Sequence, residues 1–187
     1  HYLDLPIQHA SDQILKRMNR RDSQDNIRQT VARLRQAMPD LILRSTVLVG
    51  FPGETEEDFA ILKQFIQEIE FDRLGCFVFS PEEGTAAASM KPKVRKSVAQ
   101  ARMAEIMQAQ QAISLKSNQK RVGQTLTVTL ESLGDDGVFY KGRSYAEAPE
   151  VDPVIWVAAS DETIAVGQTV QVQVVEAGEY ELTGVTL

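Results

Sequence analysis

LILRSTVLVGFPGETEE, residues 41–57, runs from a strand through a bent turn into a helix start. Leu41, Ile42, Leu43, Val47, Leu48 and Val49 form a branched, mostly apolar run broken by Arg44, Ser45 and Thr46. That pattern predicts a strand of a parallel sheet covered on both faces. Gly50, Phe51, Pro52 and Gly53 then turn the chain sharply, and the two glycines permit close backbone approach to a ligand. Thr55 is a good N-cap for a helix opening with Glu56, Glu57 and Asp58, acids that complement the helix dipole. Glu54 is read as a support for the turn. In α/β folds small ligands sit where a strand's carboxyl end meets a helix start. Two readings stand for the turn, a ligand wall or a tight connection without a ligand. It is not a nucleotide P-loop, because the lysine of that motif is missing.

Outward from this stretch, Tyr2 to Ile7 reads as a strand with Pro6 near its end, where a missing N–H is tolerated. Ser11 is placed to cap a short helix through Met18. Ile27, Val31, Leu34 and Met38 lie at helical spacing and Pro39 stops them. Phe59, Leu62, Phe65, Ile66 and Ile69 mark the next helix, and Leu74 to Phe79 a third apolar strand. This alternation predicts a parallel α/β sheet. Three strands cannot close a barrel, so further strands are expected upstream. Ser80 to Lys93 reads as a loop of small residues. A long helix from Lys96 to about Lys120 follows, with Val98, Met103, Ile106, Gln110 and Ile113 along it.

From Arg121 the composition changes to strand formers: Thr125–Leu130, Val138–Arg143, Val154–Ala158, Thr169–Val175 and Tyr180–Val185. Gly134-Asp-Asp-Gly137, Asp152-Pro153, Val166-Gly167 and Ala177-Gly178 are the turn signals between them. Five short strands predict a small antiparallel barrel of OB-like size. The expected organisation is therefore an α/β region over 1–120, including the long helix, and a barrel over 121–187.

Among 187 residues the net charge is −6, which argues against nonspecific binding of nucleic acid or membrane by the whole chain. The charge is uneven: residues 121–187 hold three basic residues against eleven acidic, a net −8, and the rest carries +2. An acidic barrel repels a phosphate backbone and favours a basic partner. No apolar run is long enough to cross a bilayer as a helix, and none reads as a signal peptide. The single cysteine, Cys76, excludes an internal disulfide and fits a cytosolic setting. It falls inside a predicted strand and reads as a buried core residue. His9, with no histidine or cysteine nearby in sequence, reads as a loop hydrogen-bonder rather than a metal ligand. Arg20 and Arg21 read as a solvated face. His1 opens directly on a strand without an initiator methionine, which points to a chain cut from a longer protein.

Three strings, YLDLPIQHASDQILKRMNR, LRSTVLVGFPGETEEDF and FDRLGCFVFSPEEGTAA, resemble the C-terminal half of a radical S-adenosylmethionine partial barrel, and residues 121–187 resemble a TRAM domain. The combination is that of the methylthiotransferases. Within them PIQHAS, FSPEEGT and GRSYAEAPEVD resemble the ribosomal-protein branch, the RimO family, more than the tRNA branch, whose first motif runs PVQSGS. The acidic barrel agrees independently, since ribosomal proteins are basic.

The resemblance implies methylthiolation of an aspartate β-carbon on a basic small-subunit ribosomal protein, in the cytoplasm. It implies S-adenosylmethionine and two 4Fe–4S clusters, one to cleave that cofactor to a radical and one to supply sulfur. The cluster ligands are expected outside this chain, because one thiol cannot hold a four-iron cluster. Within this chain it implies no catalytic residue and no metal ligand. Gly50, Phe51, Pro52 and Gly53 are expected to wall the adenosine. Gln8 and Arg44 are expected at its ribose or carboxylate, with an ion pair to a neighbouring helix acid as the other reading of Arg44. Glu147, Glu150 and Asp152, in the irregular loop between Pro149 and Pro153 and just before it, are expected to touch the substrate protein, since exposed loops carry recognition. The alternatives are a tRNA methylthiotransferase or a non-catalytic RNA- or protein-binding module.

Overall fold

Strand β2, Ile42–Val49, is fully covered on one face and half-covered on the other. Leu43, Ser45, Val47 and Val49 are buried, while Ile42, Arg44, Thr46 and Leu48 between them are half-buried. The expectation of cover on both faces is therefore corrected. Side chains alternate across a strand, and the apolar run that suggested full burial draws Ile42 and Leu48 from the open face. This computed structural model describes residues 1–135, 137–161 and 163–187.

The chain forms two compact units, one of Leu3–Ile113 and one of His1–Tyr2 with Ser114–Leu187. In the first sheet the order is β1 (Tyr2–Asp4), β2, β3 (Arg73–Val78). β2 and β3 are parallel, with Arg44 opposite Arg73 and Val49 opposite Val78. Hydrogen bonds from Leu5 N to Arg44 O (2.8 Å) and from Gln8 N to Thr46 O (2.9 Å) advance along both chains in one direction.

Helices α1 (Asp12–Arg17), α2 (Gln24–Ala37) and α3 (Glu56–Ile69) supply the apolar cover. Ile27 and Val31 of α2 and Phe59, Leu62, Phe65, Ile66 and Ile69 of α3 pack with Leu43, Val47 and Val49 into one core. Each such buried aliphatic or aromatic side chain contributes roughly 1.5–3 kcal/mol relative to exposure. Thr55 caps α3 as expected, in a full capping box with Asp58. Ser11 precedes α1 but does not cap it through its side chain, because its hydroxyl donates instead to Asp58 Oδ1 at 2.5 Å. The expected loop after β3 contains one helical turn, α4 (Ala86–Ser89), nucleated by Thr85 Oγ1 accepting from Ala88 N.

Helix α5, Lys96–Gln119, carries its buried face on Ala99, Arg102, Ile106, Gln110, Ser114 and Asn118. Most of these are polar, so hydropathy alone locates that face poorly; Gln110 Nε2, for example, donates to Phe71 O at 2.8 Å.

The second unit is a closed barrel of β4 (Thr125–Leu133), β5 (Phe139–Arg143), β6 (Ile155–Ala158), β8 (Leu182–Thr186) and β7 (Thr169–Ala177), in that spatial order. Val128, Leu130, Ile155, Val157, Val172, Val174 and Leu182 fill it. The expectation of a wholly antiparallel barrel is corrected, since β6 and β8 are parallel. Five strands in a ring cannot alternate direction at every step, so at least one neighbouring pair must run the same way. The β4–β5 turn includes Asp136, which lies outside the described residues. No helix among the described residues is long and apolar enough to cross a membrane.

Candidate functional site

The turn after β2 is held from behind by a buried carboxylate. Gly50 and Gly53 take φ of 78° and 88°, the left-handed region that glycine adopts without strain. Glu54 Oε2 accepts from Gly50 N and from Phe51 N (3.0 Å), and its Oε1 accepts from Arg102 Nη1 at 3.1 Å. Both side chains are buried. Burial pushes the Glu54 carboxyl above the usual carboxylate range, while Arg102 and the two amides pull it back. Arg102 also donates to Glu56 Oε2 at 2.9 Å and lies 5.3 Å over the Phe59 ring. The reading of Glu54 as the turn's support agrees with this geometry. Arg102, fifty residues downstream on a helix of weak amphipathicity, has no sequence signal beyond sharing a helical face with Ala99 and Ile106.

The glycines make room for protein atoms. A Cβ on Gly50 would lie 2.5 Å from Ala99 Cβ, and one on Gly53 would lie 2.7 Å from Arg17 Cζ. Phe51 is buried with its ring edge-on to Phe79 at 5.1 Å. In front of the turn, at the carboxyl ends of β2 and β3, lies a cavity of about 410 Å³. Gly50, Pro52, Val78, Phe79, Pro81 and Ala99 line it, with Ser80, Lys93, Val94 and Lys96 completing the wall.

Gln8 and Arg44 are not among those lining residues. Gln8, at φ 66°, extends β1 to the level of Val47, and its O accepts from Leu48 N at 2.7 Å. Arg44 stands six residues before Gly50, roughly 20 Å away along an extended strand. It is on the half-open face, where its Nη1 meets Asp4 Oδ2 at 2.8 Å. The ion-pair reading of Arg44 thus has a partner, though the acid is on β1 and not on a helix.

His9 is fully buried. Its Nδ1 accepts from Ser11 N at 2.9 Å, and Ser11 Oγ links onward to Asp58, while His9 Nε2 has no partner. Burial lowers the imidazole pKa to about 4, Asp58 opposing and Arg102 adding to the shift. For Asp58, burial acts upward, but hydrogen bonds from Ser11 and Thr55 leave its carboxyl below the usual range. His9 is a hydrogen-bonder as read from sequence, although it is a buried one. Cys76 is buried in β3, and burial, with Glu54 nearby, pushes its thiol up to about 12. Among the described residues no three His, Cys, Asp or Glu side chains gather as metal ligands would.

The barrel loop after β5 differs from expectation. Glu147 and Asp152 are buried. Glu147 Oε1 accepts from Arg121 Nη1 at 2.6 Å, and its Oε2 accepts from Ser144 N (3.0 Å) and Ser144 Oγ (2.6 Å). These partners hold its carboxyl low against burial. Asp152 Oδ2 accepts from Ala148 N at 2.9 Å, and Arg143 Nη1 donates to Ala148 O and Asp152 O. Two of the three acids expected to face a partner therefore brace the loop, because backbone amides inside it need acceptors. Glu150 alone of the three is exposed, at φ 62°.

Two family models match the chain: the Radical SAM superfamily over residues 1–66 and the TRAM domain over residues 122–187. Among curated proteins, the ribosomal protein uS12 methylthiotransferase RimO of Acetivibrio thermocellus is 46% identical over 183 residues, which is 98% of this chain and 40% of that protein. That of Lachnoclostridium phytofermentans is 48% identical over 185 residues, 98% of this chain and 42% of that protein. The Thermoanaerobacter sp. protein is 45% identical over 183 residues, 98% and 41% respectively. The chain spans about two fifths of the length of these relatives. Among solved structures, Escherichia coli coproporphyrinogen III oxidase, described as a Radical SAM enzyme, aligns with 63% of this chain and 27% of its own, at 20% identity and a TM-score of 0.48.

Proposed function

We propose that this homologue of the ribosomal protein uS12 methylthiotransferases is the part of such an enzyme that walls S-adenosylmethionine and receives the ribosomal protein. The observation that carries the reading is the 45–48% identity that runs through both units together. A cytoplasmic setting follows from a ribosomal partner.

The cavity fits the nucleoside part of that cofactor. Its volume of about 410 Å³ is within the range of small-molecule sites, about 300–1,000 Å³. Pro52, Val78, Phe79 and Pro81 offer the apolar wall an adenine ring needs. Gly50, Phe51, Pro52 and Gly53 form and back that wall, and Gln8, on the same end of the sheet though outside the cavity lining, is assigned to the ribose. Arg44 stands at the other end of β2 paired with Asp4, and orders the open face there. Bound S-adenosylmethionine supplies the radical initiator and the methyl group; the residues here orient it and exclude water. They do not fit an iron–sulfur cluster, since the single thiol is buried and held protonated. No step is assigned to a cluster in this chain.

The barrel's net −8 favours a basic protein over a polyanion. With Glu147 and Asp152 inside the loop, contact falls to exposed acids such as Glu150 and Glu176. Binding of the chain to ribosomal protein uS12 and to tRNA, at low and moderate salt, tests this. Glu150→Lys combined with Glu176→Lys is expected to weaken uS12 binding roughly ten-fold at low salt, with less effect as salt shortens the Debye length toward about 8 Å. Glu147→Lys is expected instead to melt the loop. Tight tRNA binding, or uS12 binding indifferent to the double reversal, would overturn the reading.

A further inference from the structure

The segment from Ser80 to Val94, which supplies one wall of the cavity, contains no buried residue. Burial therefore does not hold it in place. Its other hydrogen bonds are local, such as Thr85 N to Glu82 O and Met90 N to Ala87 O. Two bonds tie its end to the glycine turn. Gly53 N donates to Pro92 O at 2.7 Å, and Arg17 Nη2 donates to Lys91 O at 2.9 Å. The same guanidinium donates through Nε to Pro52 O at 2.9 Å. It occupies the space that any side chain at position 53 would take.

We propose that Arg17 is a positioning residue for the cofactor cavity, its guanidinium stapling the Gly50–Gly53 turn to the Lys91–Pro92 segment and so setting the distance between the cavity's two walls. A planar fork with donors in fixed directions suits this role, because it meets two carbonyl oxygens on separate segments at once. Without the cation those two carbonyls lose a shared partner, and the Lys91–Pro92 end of the wall is left on one bond to the turn. Gly53 is required at its position for the same reason, beyond its φ of 88°.

The inference rests on the cofactor reading, and the test separates the two. The isotope-labelled chain is followed by NMR, for amide exchange and during titration with S-adenosylhomocysteine. In Arg17→Met, exchange at the Gly53 amide is expected to quicken roughly ten-fold while the amides of Leu62 and Ile66 are unchanged. Affinity is expected to fall roughly ten-fold through lost preorganisation, with an unaltered thermal melt. Added guanidinium ion at low concentration is expected to restore part of it, which a purely structural loss would not allow. Gly53→Ala, which expels the guanidinium, is expected to be non-additive with Arg17→Met. Unchanged exchange at Gly53 overturns the staple, and unchanged affinity, or a loss matched by global destabilisation, overturns its role at the cavity. Failure of the unaltered chain to bind S-adenosylhomocysteine overturns the cofactor reading and the cavity role with it, while exchange at Gly53 still decides the staple.

Discussion

Arg102→Met isolates the buried charge pair behind the glycine turn. The methionine keeps the apolar stem and removes the partner of Glu54, whose side chain is fully buried. Removing one partner of a buried pair typically costs about 3–5 kcal/mol. A carboxylate escapes part of that by taking up a proton, which sets an upper limit on the penalty. With an unfolded value of 4.5, carrying Glu54 protonated costs no more than about 3.4 kcal/mol at pH 7 and under about 1 kcal/mol at pH 5. A folded carboxyl pKa above the unfolded one means that stability falls as pH rises through this window, and Arg102→Met deepens the fall. The exposed Glu56 arm adds little; the stacking on Phe59 adds about 1 kcal/mol at either pH. Urea unfolding should be followed two ways. Helical circular dichroism reports mainly on the unit of Leu3–Ile113, and fluorescence of the single tryptophan, Trp156 in β6, reports on the barrel. The dichroism transition should weaken by about 3–4 kcal/mol at pH 7 and by about 2 kcal/mol or less at pH 5, with the fluorescence transition unmoved. A loss equal at both pH values, or smaller than about 1 kcal/mol at pH 7, would refute the buried-pair argument.

Two further outcomes are open to the same denaturation assay. His9 has a folded pKa of about 4 against 6.5 unfolded, so the stability of its neutral form is complete above pH 6.5 and is lost as pH falls toward 4. The loss should approach about 3 kcal/mol, and His9→Leu should flatten the profile across that window; Asp58, titrating lower, contributes only below it. Gly50→Ala should destabilise the same unit by about 1–3 kcal/mol through its left-handed φ and its collision with Ala99. Ala99→Gly in that background should recover the collision part only. Full recovery would assign the whole effect to packing, and none would assign it to the backbone.

How much was legible in the chain differs from residue to residue, for physical reasons. Short-range patterns were readable because their physics is local. Thr55 caps α3 because a hydroxyl three residues from an amide can reach it, and β2, β3 and the barrel strands follow from β-branched runs and turn residues. The glycine turn was legible as a turn, and Glu54 as its support, because an acid four residues on from Gly50 can reach back to its amide. The resemblance of FPGETEEDF and its companion strings to a known family added what periodicity could not, an expectation of the substrate class and the cofactor.

Other features depend on which distant segments meet, and a linear pattern does not encode that meeting. Glu147 and Asp152 look like exposed loop acids until Arg121 and the loop's own amides are brought against them. Arg102 and Arg17 look like surface cations on helices, yet one closes on Glu54 and the other on two carbonyl oxygens. Gly50 was readable as a residue of close approach, but only packing revealed that Ala99 of α5 is what approaches. Hydropathy could not have marked these partners, since each is polar or small, and Arg121, Arg17 and Arg102 meet theirs across 26 to 74 residues of chain. Local free energies chose the strands, helices and turns of this protein. The desolvation of charged and polar groups, decided only when those elements pack, chose which of its acids and arginines face solvent and which hold the site.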